Sequence, residues 1–392
     1  MSQAPWIDAD LELFESEEDD EPRRDRWWQP GAVFLGVRLV GVLILAGIGA
    51  ANGRSLFPTL KSWDGEWYLR IAATGYSALS AGVDANGHTA VDTTMAFFPG
   101  YPVLIGLIGA LTHLAPIAAG LLISAIAGIV AANGIARICA AEGYPQWTGL
   151  ICVALFAATP MSVTLSMVYT EALFTALAVW ALVGIIQRNW LLAACCCGLA
   201  GLVRPSAAVL IAVLAVALVI AVVRKHNHPA VLLYALPGAS GLVGYYAFVV
   251  SRTDNLAGWF VLQKEGWGTA FDFGKDSAAF VWRVLTTDAP LMETANVVTM
   301  FGAVALVVIA LRHRLSWPLA AYGIGIVLMT IGSSGVTYSK MRLLVPAVTL
   351  LIPVAAGLAR RKPGTVSTVL VLAALASGWL GAYALTDWHY AI

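Results

Sequence analysis

Ser62-Trp63-Asp64-Gly65-Glu66-Trp67-Tyr68-Leu69-Arg70-Ile71-Ala72 is the most polar, aromatic-rich run in a chain that is otherwise mostly hydrocarbon. It follows the first long apolar segment, at 31–51, and precedes Phe97-Phe98-Pro99-Gly100-Tyr101-Pro102. Trp63, Trp67 and Ile71 recur every fourth residue and share one helical face. Asp64, Tyr68 and Ala72 share the adjoining face, and Glu66 and Arg70 stand at the i,i+4 spacing of an ion pair. The pattern describes an interfacial helix with its apolar stripe in the headgroups and Asp64 near its start. Aspartate also caps helices well, so pattern alone leaves a capping role and a chemical one equally open.

The chain of 392 residues is 59% apolar and only 12% charged, with a mean hydropathy of +0.78. A soluble domain could not bury that much apolar surface. Repeated apolar runs of about 17–25 residues identify an all-α polytopic membrane protein. Backbone hydrogen bonding in lipid excludes an open sheet, and nothing alternates with the period of a barrel. The formal net charge is zero, yet ten of the 23 acids lie between Asp8 and Asp25. No basic tract points to nucleic acid. The five cysteines, Cys139, Cys152 and Cys195-Cys196-Cys197, lie in or beside apolar runs without metal-ligand spacing and read as packing residues.

Residues 1–28 read as a disordered acidic cytoplasmic tail without a cleavable signal, and residues 29–392 as one transmembrane domain. The tail ends in Arg23-Arg24-Asp25-Arg26-Trp27-Trp28, a cytoplasmic anchor for the first span. Arg224-Lys225-His226, Arg312-His313-Arg314 and Arg360-Arg361-Lys362 mark the same side. Between Arg188 and Arg224 the chain must go out and return, turning at Arg204-Pro205-Ser206. Other spans are expected near 147–165, 171–187 and 365–385. About eleven spans result, plus a partly inserted helix from Ala96 to Leu111. Loops 52–95 and 251–291 fall outside, as do Tyr169-Thr170-Glu171 and the turn Tyr338-Ser339-Lys340-Met341-Arg342. Of the thirteen acids beyond the tail, all but Glu142 then face outward. Ser80 to Thr94 reads as a mobile loop, and no inverted pair of broken helices is obvious.

The run Trp63-Asp64-Gly65-Glu66-Trp67-Tyr68-Leu69-Arg70-Ile71-Ala72-Ala73-Thr74-Gly75-Tyr76, followed by Ala96-Phe97-Phe98-Pro99-Gly100-Tyr101-Pro102, resembles the first luminal loop of PIG-V-type mannosyltransferases. These are GT-C glycosyltransferases that use lipid-phosphate-linked mannose. Pro160 followed by Tyr169-Thr170-Glu171-Ala172-Leu173-Phe174 is similar to that family's Pro…Tyr-(Ser/Thr)-Glu-x-x-Phe block. Leu202-Val203-Arg204-Pro205-Ser206 matches the next block less fully, because the family usually has Asn or Thr and then Gly after the arginine. The resemblance covers about 52–210 and beyond that rests on scattered residues such as Gln263, Trp267 and Arg342.

The resemblance implies a GT-C fold whose first external loop, 52–95, carries the catalytic acid Asp64 as general base toward an acceptor hydroxyl. The donor would be a polyprenyl-phosphate mannose. Its phosphate would meet Arg204 and Arg342, with Lys340 in reserve, because guanidinium suits a phosphate and fixed cations stabilise the charge of a departing one. Glu171, Tyr169, Trp63, Tyr68, Gln263 and Trp267 would bind or orient the acceptor. For Glu171 the competing role is capping at a helix start, and for Arg204 it is snorkelling to the headgroups. No cofactor is required. A divalent ion between Asp64 and Glu171 is left open, although two carboxylates alone make a poor site. The Ala- and Gly-rich composition suggests a high-GC bacterium, hence a cell-envelope glycolipid or glycan as acceptor and an extracytoplasmic site in the plasma membrane. The competing functions are a transporter or flippase of a lipid-linked sugar, and a non-catalytic membrane subunit.

Overall fold

The computed structural model describes residues 26–76 and 93–392. The acidic tail up to Asp25, and most of the loop from Ser80, lie outside the described residues. Among the described residues seventeen α-helices follow one another, and the only β feature is a single bridge between Phe271 and Ser333. Five helices are long and apolar enough to cross a membrane: Gln29–Ala51 (α1), Pro116–Ala141 (α5), the run Pro229–Thr253 that ends in α10 (Ala235–Thr253), Leu291–Arg312 (α13) and Pro363–Thr386 (α17). A sixth candidate is broken, Thr337–Leu343 followed by Val348–Ala359 with a 69° bend. The chain is a multi-pass membrane protein.

Helix α7 (Glu171–Ile186) is apolar all round, and most of it is buried, so it sits at the centre of the bundle. Around it pack α5, α8 (Trp190–Gly201), α9 (Ala207–Val223) and α14 (Trp317–Ile331). Their small residues allow close approach. Gly134 of α5, for instance, faces Val179 and Trp180 of α7 so closely that a Cβ would clash. The turn between α8 and α9 falls on Arg204-Pro205, where the missing proline N–H stops the helix. The apolar helix α4 (Gly100–Thr112) leaves Val103, Leu107 and Leu111 exposed along one stripe, while Tyr101 and Ile105 are buried.

Helix α6 departs from the expected span over 147–165. It runs Gln146–Ala157, followed by a 3-10 turn at Ser162–Ser166. Pro160 cannot continue the helix, and the freed end meets Arg38 of α1, which has 5% exposure and whose guanidinium donates to the Ala157 carbonyl at 2.9 Å, to Ser162 Oγ at 2.6 Å and to Ser166 Oγ at 2.9 Å. A cation buried in an apolar bundle must be satisfied, and a helix end with free carbonyls does so. Arg38 drew no attention in the sequence. Its only signal is one charge within the 23 residues of α1.

The helix ends sort into two groups. Asp64, Glu171, Arg204 and Arg342 meet at one end of the bundle. At the other, Gln146 donates to Gln29 and the Ser316 amide reaches Glu142. Helix α9 carries the chain from Arg204 to Arg224, roughly 25 Å at the usual helical rise. Arg224-Lys225-His226 therefore lies at the end away from the four site residues, and so does Glu142.

Candidate active site

Asp64 opens α3 (Asp64–Thr74), directly after a forced backbone turn. Trp63 has φ +62° and ψ −118°, costly for a bulky residue, and the surrounding structure must hold it there. Tyr169 does this from both sides. Its hydroxyl donates to the Ser62 carbonyl at 3.2 Å and accepts the Asp64 amide at 3.3 Å. Phe98-Pro99-Gly100 joins the next motif to the arginine block, since the Gly100 amide donates to the Leu202 carbonyl at 2.7 Å. A Cβ on Gly100 would sit 2.8 Å from that oxygen, so only glycine allows the approach.

The charges form one linked set. Arg342 Nη1 donates to Asp64 Oδ2 at 2.5 Å, and the two side chains are 13% and 19% exposed. Arg204 Nη1 stands 2.6 Å from Glu171 Oε1, and Arg342 Nη1 stands 4.0 Å from the same oxygen. Arg204 also reaches Thr170 Oγ1 at 3.4 Å. Glu171 is fully buried; among the described residues its Oε2 and the Arg342 Nε have no hydrogen-bond partner. The contact between Arg204 and Glu171 is a close ion pair without hydrogen-bond alignment. The Tyr68 hydroxyl lies 3.5 Å from Thr170 Oγ1, and burial, reinforced by Asp64, pushes its pKa well above the usual phenol range. Burial and Asp64 do the same to Tyr169, over whose ring the Arg342 guanidinium lies at 5.2 Å. Both phenols therefore act as neutral hydrogen-bonding groups.

A cavity of about 350 Å³ opens over this set. Asp64, Tyr68, Glu171, Arg204, Gln263, Trp267, Lys340 and Arg342 line it, with Phe97, Phe271, Ile326 and Met329 as apolar wall. Two candidates fall outside the lining. Tyr169 is fully buried and braces the Trp63 turn instead, and the same turn leaves Trp63 38% exposed and off the cavity wall. The Gln263 amide is engaged by the Ala96 carbonyl at 3.0 Å, which holds α11 (Gly258–Trp267) to the Thr93–Ala96 turn. Thr93 and Thr94, expected in a mobile loop, are buried in that turn. Trp267 stands edge-on to Phe97 at 5.5 Å and to Trp67 at 6.4 Å. The Lys340 ammonium donates to Ser277 Oγ of α12 (Lys275–Thr286) and to the Ser333 carbonyl at 2.6 Å. In place of an ion pair between Glu66 and Arg70, Glu66 faces Lys61 at 3.6 Å and the Arg70 guanidinium lies 4.9 Å over Trp67. Among the described residues no three His, Cys, Asp or Glu side chains gather as a metal site.

The fold defined by this bundle is that of the GT-C glycosyltransferases. No family model matches the chain, and no curated protein matches its sequence. Among solved structures, ArnT from Cupriavidus metallidurans bound to undecaprenyl phosphate aligns with a TM-score of 0.51 and 15% identity, over 91% of this chain and 75% of that one. ArnT in the apo state gives a TM-score of 0.50 at 15% identity, over 91% and 74% of the two chains. The apo oligosaccharyltransferase of Archaeoglobus fulgidus gives 0.47 at 15% identity, and this chain spans 57% of its length.

Proposed function

We propose that this protein is an inverting membrane glycosyltransferase that moves mannose from polyprenyl-phosphate mannose to a cell-envelope glycolipid or glycan. The observation that carries the proposal is the convergence of Asp64, Glu171, Arg204 and Arg342, from four separate parts of the chain, on one cavity with an apolar side. ArnT, whose fold this chain shares, is known bound to undecaprenyl phosphate, which supports a lipid-phosphate donor here. The choice of mannose and of a PIG-V-like subfamily rests on the motif resemblance. The basic clusters at the far end of the bundle support an extracytoplasmic site by the positive-inside rule.

In this mechanism the acceptor hydroxyl approaches Asp64, which takes its proton as the oxygen attacks the anomeric carbon. The bond from that carbon to the phosphate oxygen breaks, and its electron pair leaves with the phosphate. Arg204 and Arg342 stabilise the growing negative charge. Attack opposite the leaving group inverts the configuration, so a β-linked donor yields an α-mannoside. Glu171 fixes both arginines and so positions the phosphate cations. Lys340, already hydrogen-bonded to Ser277 and Ser333, adds positive charge at the cavity wall.

The 69° break before Val348 favours a second function, transport of a lipid-linked sugar, because discontinuous helices recur in transporters. The charged set lies at one end of the bundle, whereas alternating access uses the midplane. Purified protein in detergent, given labelled polyprenyl-phosphate mannose and an envelope lipid extract, separates the two. Transfer by wild type, lost in Asp64→Asn by about 10²–10⁴-fold at normal protein levels, is expected for an essential proton acceptor. Equal transfer by the variant removes Asp64 from the mechanism, and no transfer by wild type favours the transporter.

A further inference from the structure

The chain after α17 folds back toward the site. The Trp388 amide donates to the Tyr383 carbonyl at 3.1 Å, and the rings of Trp388 and Tyr390 meet Tyr338 at 5.6 and 5.8 Å. Ala391 lines the cavity, and Ile392 is 1% exposed. No helix holds residues 388–392, so side-chain packing does. Ile392 belongs to a buried apolar cluster that also contains Leu60, Tyr169 and Met341. Each of these three stands close in sequence to a charged group of the site. Met341 directly precedes Arg342, Tyr169 is two residues before Glu171, and Leu60 ends the short helix (Leu56–Leu60) that leads to Asp64. One cluster thus carries the supports of three charges that come from distant parts of the chain.

We propose that the segment Trp388–Ile392 is a positioning element, which seals this cluster with Ile392 and thereby sets the spacing of Asp64 and Arg342. Well-packed interiors transmit displacement, so a void opened in this cluster shifts the charges mounted on Leu60, Tyr169 and Met341. The segment touches the cavity only through Ala391 and takes no part in proton or phosphate chemistry. The inference rests on the proposed sugar transfer only for its activity readout.

Two measurements test it. In the transfer assay, Ile392→Ala is expected to lower turnover about tenfold, because misplacing reacting groups by a fraction of an ångström to 1 Å costs up to about a hundredfold. Ile392→Val is expected to recover most of the loss. Val366→Ala, which truncates an equally buried branched side chain at the opposite end of α17, is the control and leaves turnover unchanged. Thermal unfolding of Ile392→Ala, Arg342→Met and the double variant forms a double-mutant cycle, in which melting shifts that do not add show coupling to the ion pair. Additive shifts, or full turnover by a folded Ile392→Ala, overturn the proposal. The cycle reads the pair without any sugar transfer, so a wild-type protein that transfers nothing refutes the proposed function and leaves the cycle to decide the positioning role.

Discussion

Removing the Arg204 guanidinium isolates the most deeply buried charge among the described residues. The Glu171 side chain is 1% exposed, against 12% for Arg204, and its near cation is Arg204 at 2.6 Å. Arg342 stands farther off, at 4.0 Å, and is already committed to Asp64. Breaking a buried ion pair from one side costs about 3–5 kcal/mol, because the remaining charge is left uncompensated. Partial cover by Arg342 puts Arg204→Met near the lower end, at about 3 kcal/mol. Glu171→Gln strands the more exposed partner at the cavity wall and is expected to cost less, about 1–2 kcal/mol. The double variant leaves no unpaired charge, only a buried amide, and is expected to lose about 1–2 kcal/mol, less than Arg204→Met alone. With the exposed Cys195 replaced by Ala, the buried Cys139, Cys152, Cys196 and Cys197 make a thiol-reactive dye a direct reporter of unfolding in lipid nanodiscs. A double variant as unstable as Arg204→Met, or Arg204→Met no less stable than Glu171→Gln, would refute the assignment of Arg204 as partner to a charged, buried Glu171. The double variant is also expected to be stable yet inactive, which separates the phosphate role of Arg204 from its structural one.

Further outcomes follow from the packing and the loops. Gly241 of α10 lies against the Gly198 carbonyl of α8, so Gly241→Leu should lower the melting temperature and yield of the membrane protein, while Gly244→Leu, with open space around it, should not. Asp272 accepts the amides of Asp276 at 2.7 Å and Gly274 at 2.9 Å, and these bonds, the Asp276 one first, hold its carboxyl below the usual range. A folded pKa below the unfolded one means stability that is complete at neutral pH and lost as pH falls through the folded value. Protection of the amides at the start of α12, measured against their intrinsic exchange rates, is therefore expected to fall only in acid, and Asp272→Ala should show the low protection at every pH. Arg38→Leu should leave the Ala157 carbonyl, Ser162 and Ser166 without their donor and destabilise the fold, whereas Asn133→Leu, a part-buried polar residue bonded only within its own helix, should be near neutral.

The motifs around Asp64, Tyr169 and Arg204 were legible because each is a short run with its own local pattern. Their meeting was expected from the family resemblance alone, not from any local pattern. Arg342 is 278 residues from Asp64, and no periodicity links the two. Tyr169 and Trp63 illustrate the limit from the other side. Both belong to recognisable motifs, yet one braces a strained turn and the other stands off the cavity wall.

The amino-acid sequence alone determined that the chain threads a bilayer and, at Arg204-Pro205, where it turns back. In hydrocarbon every backbone group must be satisfied within its own segment, so spans, prolines and basic ends are local signals. The tertiary structure alone decided that the Ala157 carbonyl meets the Arg38 guanidinium, that Lys340 is held by Ser277, and that Tyr169 and Trp63 stand off the cavity wall. Those outcomes depend on charges finding partners across helices, and which helices adjoin is settled only by packing.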